Sequence, residues 1–186
     1  QRVLEAFCAA LEKTKTTDYP IHLKFNTGLN RLGFQPENSL DVLAFIKQNS
    51  DLIKLQGVYS HLAASDDLNE DSFTQAQLIK FEAVVNTIKP THPNTIFHVL
   101  NTSGVLHYPD AQYNMVRTGI SLYGYGNDPK VDVQLKPVLT LKTTISQLHA
   151  LQKGDSLGYN RGFVATGLTP TATLPLGHAD GIGRIY

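Results

Sequence analysis

One segment, Ile21–Asn26, alternates strictly between apolar and polar residues, and this pattern constrains the fold more than any other feature of the sequence. Alternate side chains of a β-strand point to opposite faces, so His22, Lys24 and Asn26 share one face and their apolar neighbours share the other. A parallel strand that is covered by helices needs apolar residues on the helix side. The polar face is therefore expected to line the interior of the fold, where its polar side chains have a function.

Segments typical of strands and of helices alternate through the first two thirds of the chain. The predicted strands are Ile21–Asn26, Ile53–Leu62, Thr95–Leu100 and Met115–Ile120. The predicted helices are Leu40–Gln48, Phe73–Ile88, Ser103–His107 and an amphipathic first helix that carries Val3, Phe7, Ala10 and Leu11. This alternation predicts an α/β fold with parallel strands. Four β/α units are half of an eight-stranded (β/α)8 TIM barrel, so we expect a partial barrel in an excerpt of a longer protein.

The composition changes after Gly126, and this change predicts a domain boundary. Asn127-Asp128-Pro129 and Pro137 are typical of a linker, and the residues beyond are rich in Thr, Val, Leu and Gly without a helical period. We therefore expect residues 1–129 to form the barrel half and residues 130–186 to begin a β-rich domain.

Charge and cysteine content exclude several classes of protein. The 186 residues include 16 basic and 16 acidic residues, and this balance is not typical of a protein that binds nucleic acid or an anionic membrane. No apolar run approaches the roughly 18 residues of a membrane span. The single cysteine, Cys8, excludes an internal disulfide and predicts a reducing, cytoplasmic location. No Cys or His spacing predicts a metal site.

Each predicted strand has a polar residue at or near its carboxyl end, and in β/α barrels the carboxyl ends of the strands carry the chemistry. Arg117, at the end of the fourth predicted strand, needs an acceptor, which is either a bound ligand or a structural ion partner. The backbone N–H groups beside Gly119 and Ile120, together with the Thr102 hydroxyl, could hold a phosphate. The local pattern alone favours a plain turn residue at Gly119 over a phosphate contact.

Four other polar residues could contribute to such a site. His61 is a candidate base or stacking platform, although its spacing favours a core residue. Lys24 and Arg31 flank a tight loop, and two neighbouring cations repel each other unless an anion lies between them. Tyr159 lies in a glycine-flanked turn, where its spacing favours an exposed tyrosine without a catalytic role.

Five blocks of the sequence, in this order, resemble the pyridoxal-phosphate-dependent alanine racemase family. They are His22–Gly33, Gly57–Ala63, His98–Ser103, Val116–Gly124 and Leu174–Gly181. The five blocks in this order indicate the family far more specifically than any one block alone. The resemblance implies an eight-stranded β/α barrel followed by a β-domain, in a homodimer. This chain then corresponds to roughly the last four β/α units and the start of the β-domain.

The resemblance also implies how individual residues bind pyridoxal 5'-phosphate. Arg117 matches the arginine that donates to the pyridine nitrogen of the cofactor. The other residues that match the cofactor-binding set are His61, Asn101, Thr102, Gly119 and Ile120. Arg31 matches an arginine near the substrate carboxylate, and Lys24 matches a lysine that is carbamylated in some members.

The implied reaction interconverts L- and D-alanine for peptidoglycan synthesis by moving the α-proton between two bases. Tyr159 matches the catalytic tyrosine, which acts across the dimer interface in the site of the neighbouring subunit. The second base is the lysine that binds the cofactor covalently, and no lysine in this sequence fits its motif. This chain alone is therefore expected to be inactive, whereas the full-length parent is expected to be a racemase.

Two alternatives are open at this point. The parent could be another amino-acid racemase of the same fold, or a module that binds pyridoxal phosphate without catalysing a reaction. A lysine block upstream of this sequence would favour an enzyme, and its absence would favour the module. Some family members are fused behind a Mur-type ligase, which is a further possibility for the parent.

Overall fold

The structure, a computed structural model, describes residues 2–183. The chain divides into two compact units, Gln1–Val138 and Leu139–Tyr186. Gln1, at the start of the first predicted domain, and residues 184–186, at the end of the second, lie outside the described residues. The domain boundary between residues 129 and 130 stays a prediction.

Helices and strands alternate along the first unit. Its strands are β1 (Tyr19–Lys24), β2 (Ile53–Tyr59) and β3 (Ile96–His98). Its α-helices are α1 (Arg2–Thr14), α2 (Ser39–Gln48), α3 (Asp71–Ile88), α4 (Thr102–His107) and α5 (Pro129–Asp132). Short 3-10 helices lie at Pro36–Asn38, Leu68–Glu70, Pro109–Ala111 and Ile120–Tyr123.

The three strands form one parallel sheet in the order β1–β2–β3. The alternation predicted for β1 is confirmed, because Leu23 and Phe25 are buried in the hydrophobic core while Lys24 is only partly buried. The register of β1 against β2 shifts by one residue between Ile21 and His22. Parallel pairing directs all three carboxyl ends to the same edge of the sheet.

The apolar faces that the helical periods predict are buried on α3 and only in part on α1 and α2, where Leu40 of the predicted apolar side is 69% exposed. On α3, the predicted apolar face of Phe81, Val84, Val85 and Ile88 is buried in the core. On α1, the packed stripe consists of Leu4, Phe7, Cys8 and Leu11. The predicted stripe of α1 is therefore wrong at Val3, which is 83% exposed, and at exposed Ala10. The sequence of α1 contains two overlapping apolar stripes at helical spacing, and packing against the unit selects one of them.

The predicted fourth strand, Met115–Ile120, is wrong as a strand. The Arg117 backbone N–H donates to the Leu100 carbonyl at 3.0 Å, so the segment does run beside the chain that follows β3. The backbone hydrogen bonds of a strand pair do not continue beyond Arg117, because the Gly119 N–H donates to the Thr102 side chain instead of to a neighbouring strand. The other strands also end two or three residues earlier than predicted, where the chain turns into polar loops.

The second unit is rich in short β-strands, as its composition predicts. Its strands are β4 (Gln147–Leu151), β5 (Ser156–Leu157), β6 (Phe163–Val164) and β7 (Thr169–Thr173). β4 pairs with β7, and β5 pairs with β6, both antiparallel. The 3-10 helix Tyr159–Arg161 connects β5 to β6, and another, His178–Asp180, follows β7. Across residues 2–183, no helix is both long and apolar enough to cross a membrane.

Candidate functional site

Polar side chains gather at the carboxyl edge of the parallel sheet. Lys24, Tyr59 and His98 are the last residues of β1, β2 and β3, and the register aligns Tyr59 with both of the others. The chain after β2 adds His61, and the chain beside β3 adds Arg117. This edge is the one at which β/α barrels carry their chemistry.

Arg117 is at the centre of this cluster, and neutral acceptors hold its guanidinium. Nη2 donates to the Ser60 carbonyl at 2.6 Å and to His61 Nδ1 at 3.2 Å. Nη1 donates to His98 Nδ1 at 2.5 Å and to the His98 carbonyl at 3.3 Å. The Cζ atom lies 5.3 Å from the centre of the Tyr59 ring, within cation–π range. Burial lowers the pKa of Arg117 and Tyr59 raises it, but a guanidinium stays protonated in a protein.

The contacts of His98 determine its tautomer. Arg117 has only donors, so Nδ1 of His98 accepts and the ring proton lies on Nε2. Nε2 then donates to His22 Nδ1 at 3.0 Å. The His98 ring stacks on Tyr59, with parallel planes and centroids 5.1 Å apart. Burial, followed by the nearby Arg117 and His22, lowers the pKa of His98 to about 4, so the ring is neutral at pH 7.

Gly57 explains how His22 on β1 reaches His98 on β3. The register pairs His22 with Gly57, which lies on the strand between them. A Cβ on Gly57 would overlap the His22 ring. Only glycine at this position therefore leaves room for a histidine pair that spans β2.

His61 lies beside Arg117 and is only partly buried, so the structure does not place it in the core that its spacing favoured. Burial lowers the pKa of His61, and the charges of Arg117, Lys24 and Arg31 lower it further. A neutral imidazole at this position can accept from Arg117 without repulsion.

The cluster brings together three cations without compensating carboxylates. Burial lowers the pKa of Lys24, and the charges of Arg31 and Arg117 lower it further. Within residues 2–183, none of the three forms an ion pair with Asp or Glu. Neighbouring positive charges are costly unless an anion binds between them. The site is therefore suited to an anionic ligand.

The residues predicted to hold a phosphate meet at the start of α4. Thr102 Oγ1 accepts from the Gly119 N–H at 2.8 Å, and Ile120 then begins a 3-10 helix. Asn101 caps α4, because its Oδ1 accepts from the Gly104 N–H at 2.9 Å. A Cβ on Gly119 would come no nearer than 4.0 Å to Thr102 Oγ1, so the space beside this backbone is open.

Tyr159 belongs to the second unit, and its side chain is 95% exposed. It lies on the turn between β5 and β6, after Gly158 at a φ of 78°. Asn160 and Arg161 follow with φ values of 55° and 53°, in the left-handed region that most residues avoid. The exposed turn agrees with the spacing of the sequence, and the catalytic role of Tyr159 stays a prediction.

Sequence reasoning gave no role to several residues that form the cluster. His98 and Tyr59 end their strands and contact Arg117, while His22 lies on the polar face that the alternation identified. Ser121 Oγ lies 3.4 Å from Thr102 Oγ1. Strand alternation was the signal that could have found the histidines, because both point to the same side of the sheet as Lys24.

Two sequence families match this chain, one in each part. The family described as "Alanine racemase, N-terminal domain" matches residues 2–127, and "Alanine racemase, C-terminal domain" matches residues 138–186. An alanine racemase of Treponema denticola is 37% identical over 169 residues, which are 88% of this chain and 44% of that protein. Alanine racemase 1 of Clostridium acetobutylicum is 34% identical over 178 residues, which are 93% and 46% of the two chains.

Solved structures show the same relationship. An alanine racemase from Streptomyces coelicolor A3(2) aligns with a TM-score of 0.82 and 26% identity, over 99% of this chain and 50% of that one. An alanine racemase from Clostridium difficile 630 aligns with a TM-score of 0.76 and 28% identity, over 98% and 49%. The chain therefore spans about half the length of the relatives it matches. The expected fold class, a partial β/α barrel followed by the start of a second domain, is confirmed.

Proposed function

Because this chain belongs to the alanine racemase family, we propose that its parent protein binds pyridoxal 5'-phosphate and interconverts L- and D-alanine. The chain supplies roughly the last four β/α units of the barrel and the start of the C-terminal domain. The observation that carries the proposal is the setting of Arg117: a guanidinium at the carboxyl edge of a parallel sheet, held by carbonyls and neutral imidazoles.

The residues at this edge fit the charge and the shape of the cofactor. A phosphate group needs cations, hydroxyls or N–H groups as partners, and the cluster combines the Thr102 hydroxyl with open space beside Gly119. Lys24, Arg31 and Arg117 add a positive potential that no carboxylate in the described chain pairs with. When bound, the cofactor withdraws electrons from the α-carbon of the amino acid and so acidifies its α-proton.

Arg117 would donate a hydrogen bond to the pyridine nitrogen. Since a guanidinium is always a donor, it leaves that nitrogen without a proton of its own. Arg117 would thereby weaken the electron withdrawal by the bound cofactor and disfavour transamination as a side reaction. Ser60 and His98 hold the planar fork from two sides and so set its direction.

The remaining cofactor contacts follow from the same geometry. His61 would lie beside the cofactor ring, with Nδ1 accepting from Arg117. Thr102, Gly119 and Ile120 would hold the phosphate at the start of the 3-10 helix. Asn101 uses its oxygen to cap α4, so we propose that it contributes to cofactor binding by placing Thr102.

Lys24 and Arg31 would bind the substrate side of the site. Arg31 is exposed and close enough to lower the pKa of Lys24, so the pair offers a positive surface for a carboxylate. Carbamylation of Lys24 would replace one of these positive charges by an anion next to Arg31. This modification would relieve the repulsion that lowers the pKa of Lys24.

Tyr159 would act as one of the two bases, in the site of the other subunit of a homodimer. A tyrosine has an ordinary pKa of about 10, and a phenolate forms near neutral pH only beside positive charge. The three cations of the cluster would supply that charge to the partner's Tyr159. We further propose that the product D-alanine serves peptidoglycan synthesis in the cytoplasm.

The proposal is tested with the full-length protein loaded with pyridoxal 5'-phosphate. In deuterium oxide, L-alanine should lose its optical activity while deuterium appears at the α-carbon. A panel of other amino acids distinguishes an alanine racemase from a racemase of different specificity. Cofactor binding without exchange of any α-proton would favour a non-catalytic module, and absence of cofactor binding would contradict the proposal altogether.

A further inference from the structure

Gln77 is a polar residue on the buried face of α3, and only 1% of it is exposed. A buried amide destabilises the fold unless its donors and its acceptor find partners. Oε1 of Gln77 accepts from the Ala63 backbone N–H at 2.9 Å, and Nε2 donates to the His61 carbonyl at 3.3 Å. One side chain therefore connects α3 to the loop that follows β2.

Gln77 also reaches the loop after β1, through two buried hydroxyls. Ser60 Oγ donates to the Phe25 carbonyl at 2.8 Å, which uses its single proton. Thr27 Oγ1 must then donate to Ser60 Oγ at 2.8 Å and accept from Gln77 Nε2 at 3.3 Å. The donor and the acceptor of every hydrogen bond in this network are therefore determined, and the network begins at the amide of Gln77.

Backbone packing holds Gln77 from another side. Gly28 has a φ of 148°, and a Cβ at this position would lie 3.1 Å from Phe73 Cζ and 3.2 Å from Gln77 Cγ and Nε2. The Gly28 backbone therefore packs against the Gln77 side chain without room for a Cβ between them, and such packing limits the rotamers of Gln77. The amide of Gln77 is thus held in place by Gly28 as well as by its hydrogen bonds.

The network ends at the atoms that orient Arg117. The Ser60 carbonyl, on the residue whose hydroxyl joins the network, accepts from Arg117 Nη2 at 2.6 Å. His61, whose carbonyl Gln77 holds, places its Nδ1 3.2 Å from the same Nη2. Two acceptors of one guanidinium nitrogen are therefore placed by residues that Gln77 contacts directly or through Thr27.

We propose that Gln77 is a positioning residue for the cofactor site, because it holds the loop of residues 60–63 against α3 and so sets the orientation of Arg117 and His61. The inference rests on the proposed function, since the site that Gln77 positions is the proposed cofactor site. Gln77 contacts neither cofactor nor substrate in this assignment. Its effect passes through Ser60 and His61.

The test uses the full-length protein with Gln77→Met, which keeps the length of the side chain and removes its hydrogen bonds. The matched control is Thr74→Val, one turn earlier on the same helix, fully buried and outside the network. The first measurement is the pKa of His61, from nuclear magnetic resonance of histidine-labelled protein without cofactor. Burial and, after it, the charge of Arg117 lower this pKa, so loosening the loop should raise it towards 6.5 in Gln77→Met and leave it unchanged in Thr74→Val.

The second measurement is cofactor affinity and turnover. In Gln77→Met, the dissociation constant of pyridoxal 5'-phosphate should rise at least about tenfold and kcat should fall at least about tenfold, because small displacements of positioned groups have large effects on rate. The KM for alanine should change less than kcat, since Gln77 does not contact the substrate. Thr74→Val should match the wild type in all three constants.

A second variant keeps the inference testable if Gln77→Met does not fold. Thr27→Val removes the link between Gln77 and Ser60 but leaves the bonds of Gln77 to the 60–63 loop. It should shift the pKa of His61 and the cofactor affinity in the same direction by a smaller amount. Folded variants with the pKa of His61 and the affinity of the wild type would overturn the assignment. A wild type that binds no cofactor would contradict the proposed function instead, and the titration of His61 would still report whether Gln77 positions the loop.

Discussion

At the scale of single residues, the direction of hydrogen bonds determines the chemistry of the site. Arg117 can only donate, so both histidines that contact it must accept with Nδ1 and stay neutral. The lowered pKa values of His61 and His98 agree with this requirement. Positive charge at the site is therefore concentrated on Arg117, Lys24 and Arg31, where it can attract the proposed anionic cofactor and substrate.

Replacement of the Tyr159 hydroxyl tests its predicted role as a base. In full-length Tyr159→Phe, kcat should fall at least about tenfold, since a positioned acid–base group contributes about 10²–10⁴-fold to a rate. Binding of pyridoxal 5'-phosphate should be retained, because the proposed cofactor contacts are made by other residues, including Arg117 and Thr102. The measurement is steady-state racemisation together with cofactor titration.

Tyr19→Phe is the control for this substitution, since Tyr19 lies at the start of β1, at the opposite end of the strand from Lys24. It should leave turnover unchanged. Turnover of Tyr159→Phe equal to that of the wild type would remove Tyr159 from the mechanism.

The lowered pKa of His98 predicts how stability depends on pH. The unfolded chain takes up a proton near pH 6.5, whereas folded His98 does so only near 4, so stability should fall as the pH drops through this window. The stability lost through His98 over this window is on the order of 3 kcal/mol in the free energy of unfolding. His98→Gln should reduce this pH dependence, which denaturant unfolding at a series of pH values measures.

His149→Gln is the matched control, because His149 is exposed on β4. It should unfold with the pH dependence of the wild type. Parallel curves for the wild type and His98→Gln would show that His98 is not held neutral by its surroundings.

At the scale of helices and strands, periodic patterns predicted the elements whose packing depends on their own apolar face. They failed where contacts with distant parts of the chain determine the structure. The helix predicted over Phe73–Ile88 is α3, because its apolar face is long and unambiguous. The segment Met115–Ile120 has the composition of a strand, but the Thr102 hydroxyl captures the Gly119 N–H and ends the pairing. That capture joins residues 17 positions apart, and no local pattern contains it.

The candidate site shows the same division between local pattern and long-range contact. Strand ends and alternation were sufficient to select Lys24, His61 and Arg117 as residues of one edge. The histidine pair His22–His98 depends on Gly57 in the strand between them, which only the register reveals. The cofactor roles came from resemblance to a family, since spacing alone favoured structural interpretations for several of these residues.

The start of α4 makes a prediction at this scale. Thr102→Val keeps the shape of the side chain but removes the acceptor of the Gly119 N–H, so the phosphate-binding turn should loosen. The dissociation constant of pyridoxal 5'-phosphate should rise about tenfold, because the substitution also removes the proposed hydrogen bond from the Thr102 hydroxyl to the charged phosphate. Thr118→Val, one residue before Gly119 and exposed, is the control and should bind like the wild type. Equal affinities for all three proteins would exclude Thr102 from phosphate binding.

At the scale of the whole molecule, each unit carries a different part of the proposed machinery. The first unit holds the cluster around Arg117, and the second carries Tyr159 on an exposed turn. The chain spans about half the length of its relatives, so a working site would draw on further residues of the parent. The exposure of Tyr159 leaves its hydroxyl accessible, as the proposed site shared between two subunits requires.

Mixed dimers test whether Tyr159 acts in the neighbouring subunit. Full-length Arg117→Ala and Tyr159→Phe should each have little activity as homodimers. After mixing and exchange of subunits, half of the dimers would contain one site with both native residues, so about one quarter of the wild-type activity should return. Activity that stays at the level of the separate variants after proven exchange would place Tyr159 in the site of its own subunit.

The most direct test is a crystal structure of the full-length protein with pyridoxal 5'-phosphate bound. We expect the pyridine nitrogen to lie within about 3 Å of the Arg117 guanidinium, and the phosphate to lie against Thr102 and Gly119. A cofactor bound away from this edge, or an Arg117 paired with a carboxylate of the parent chain while the ring lies elsewhere, would contradict this expectation.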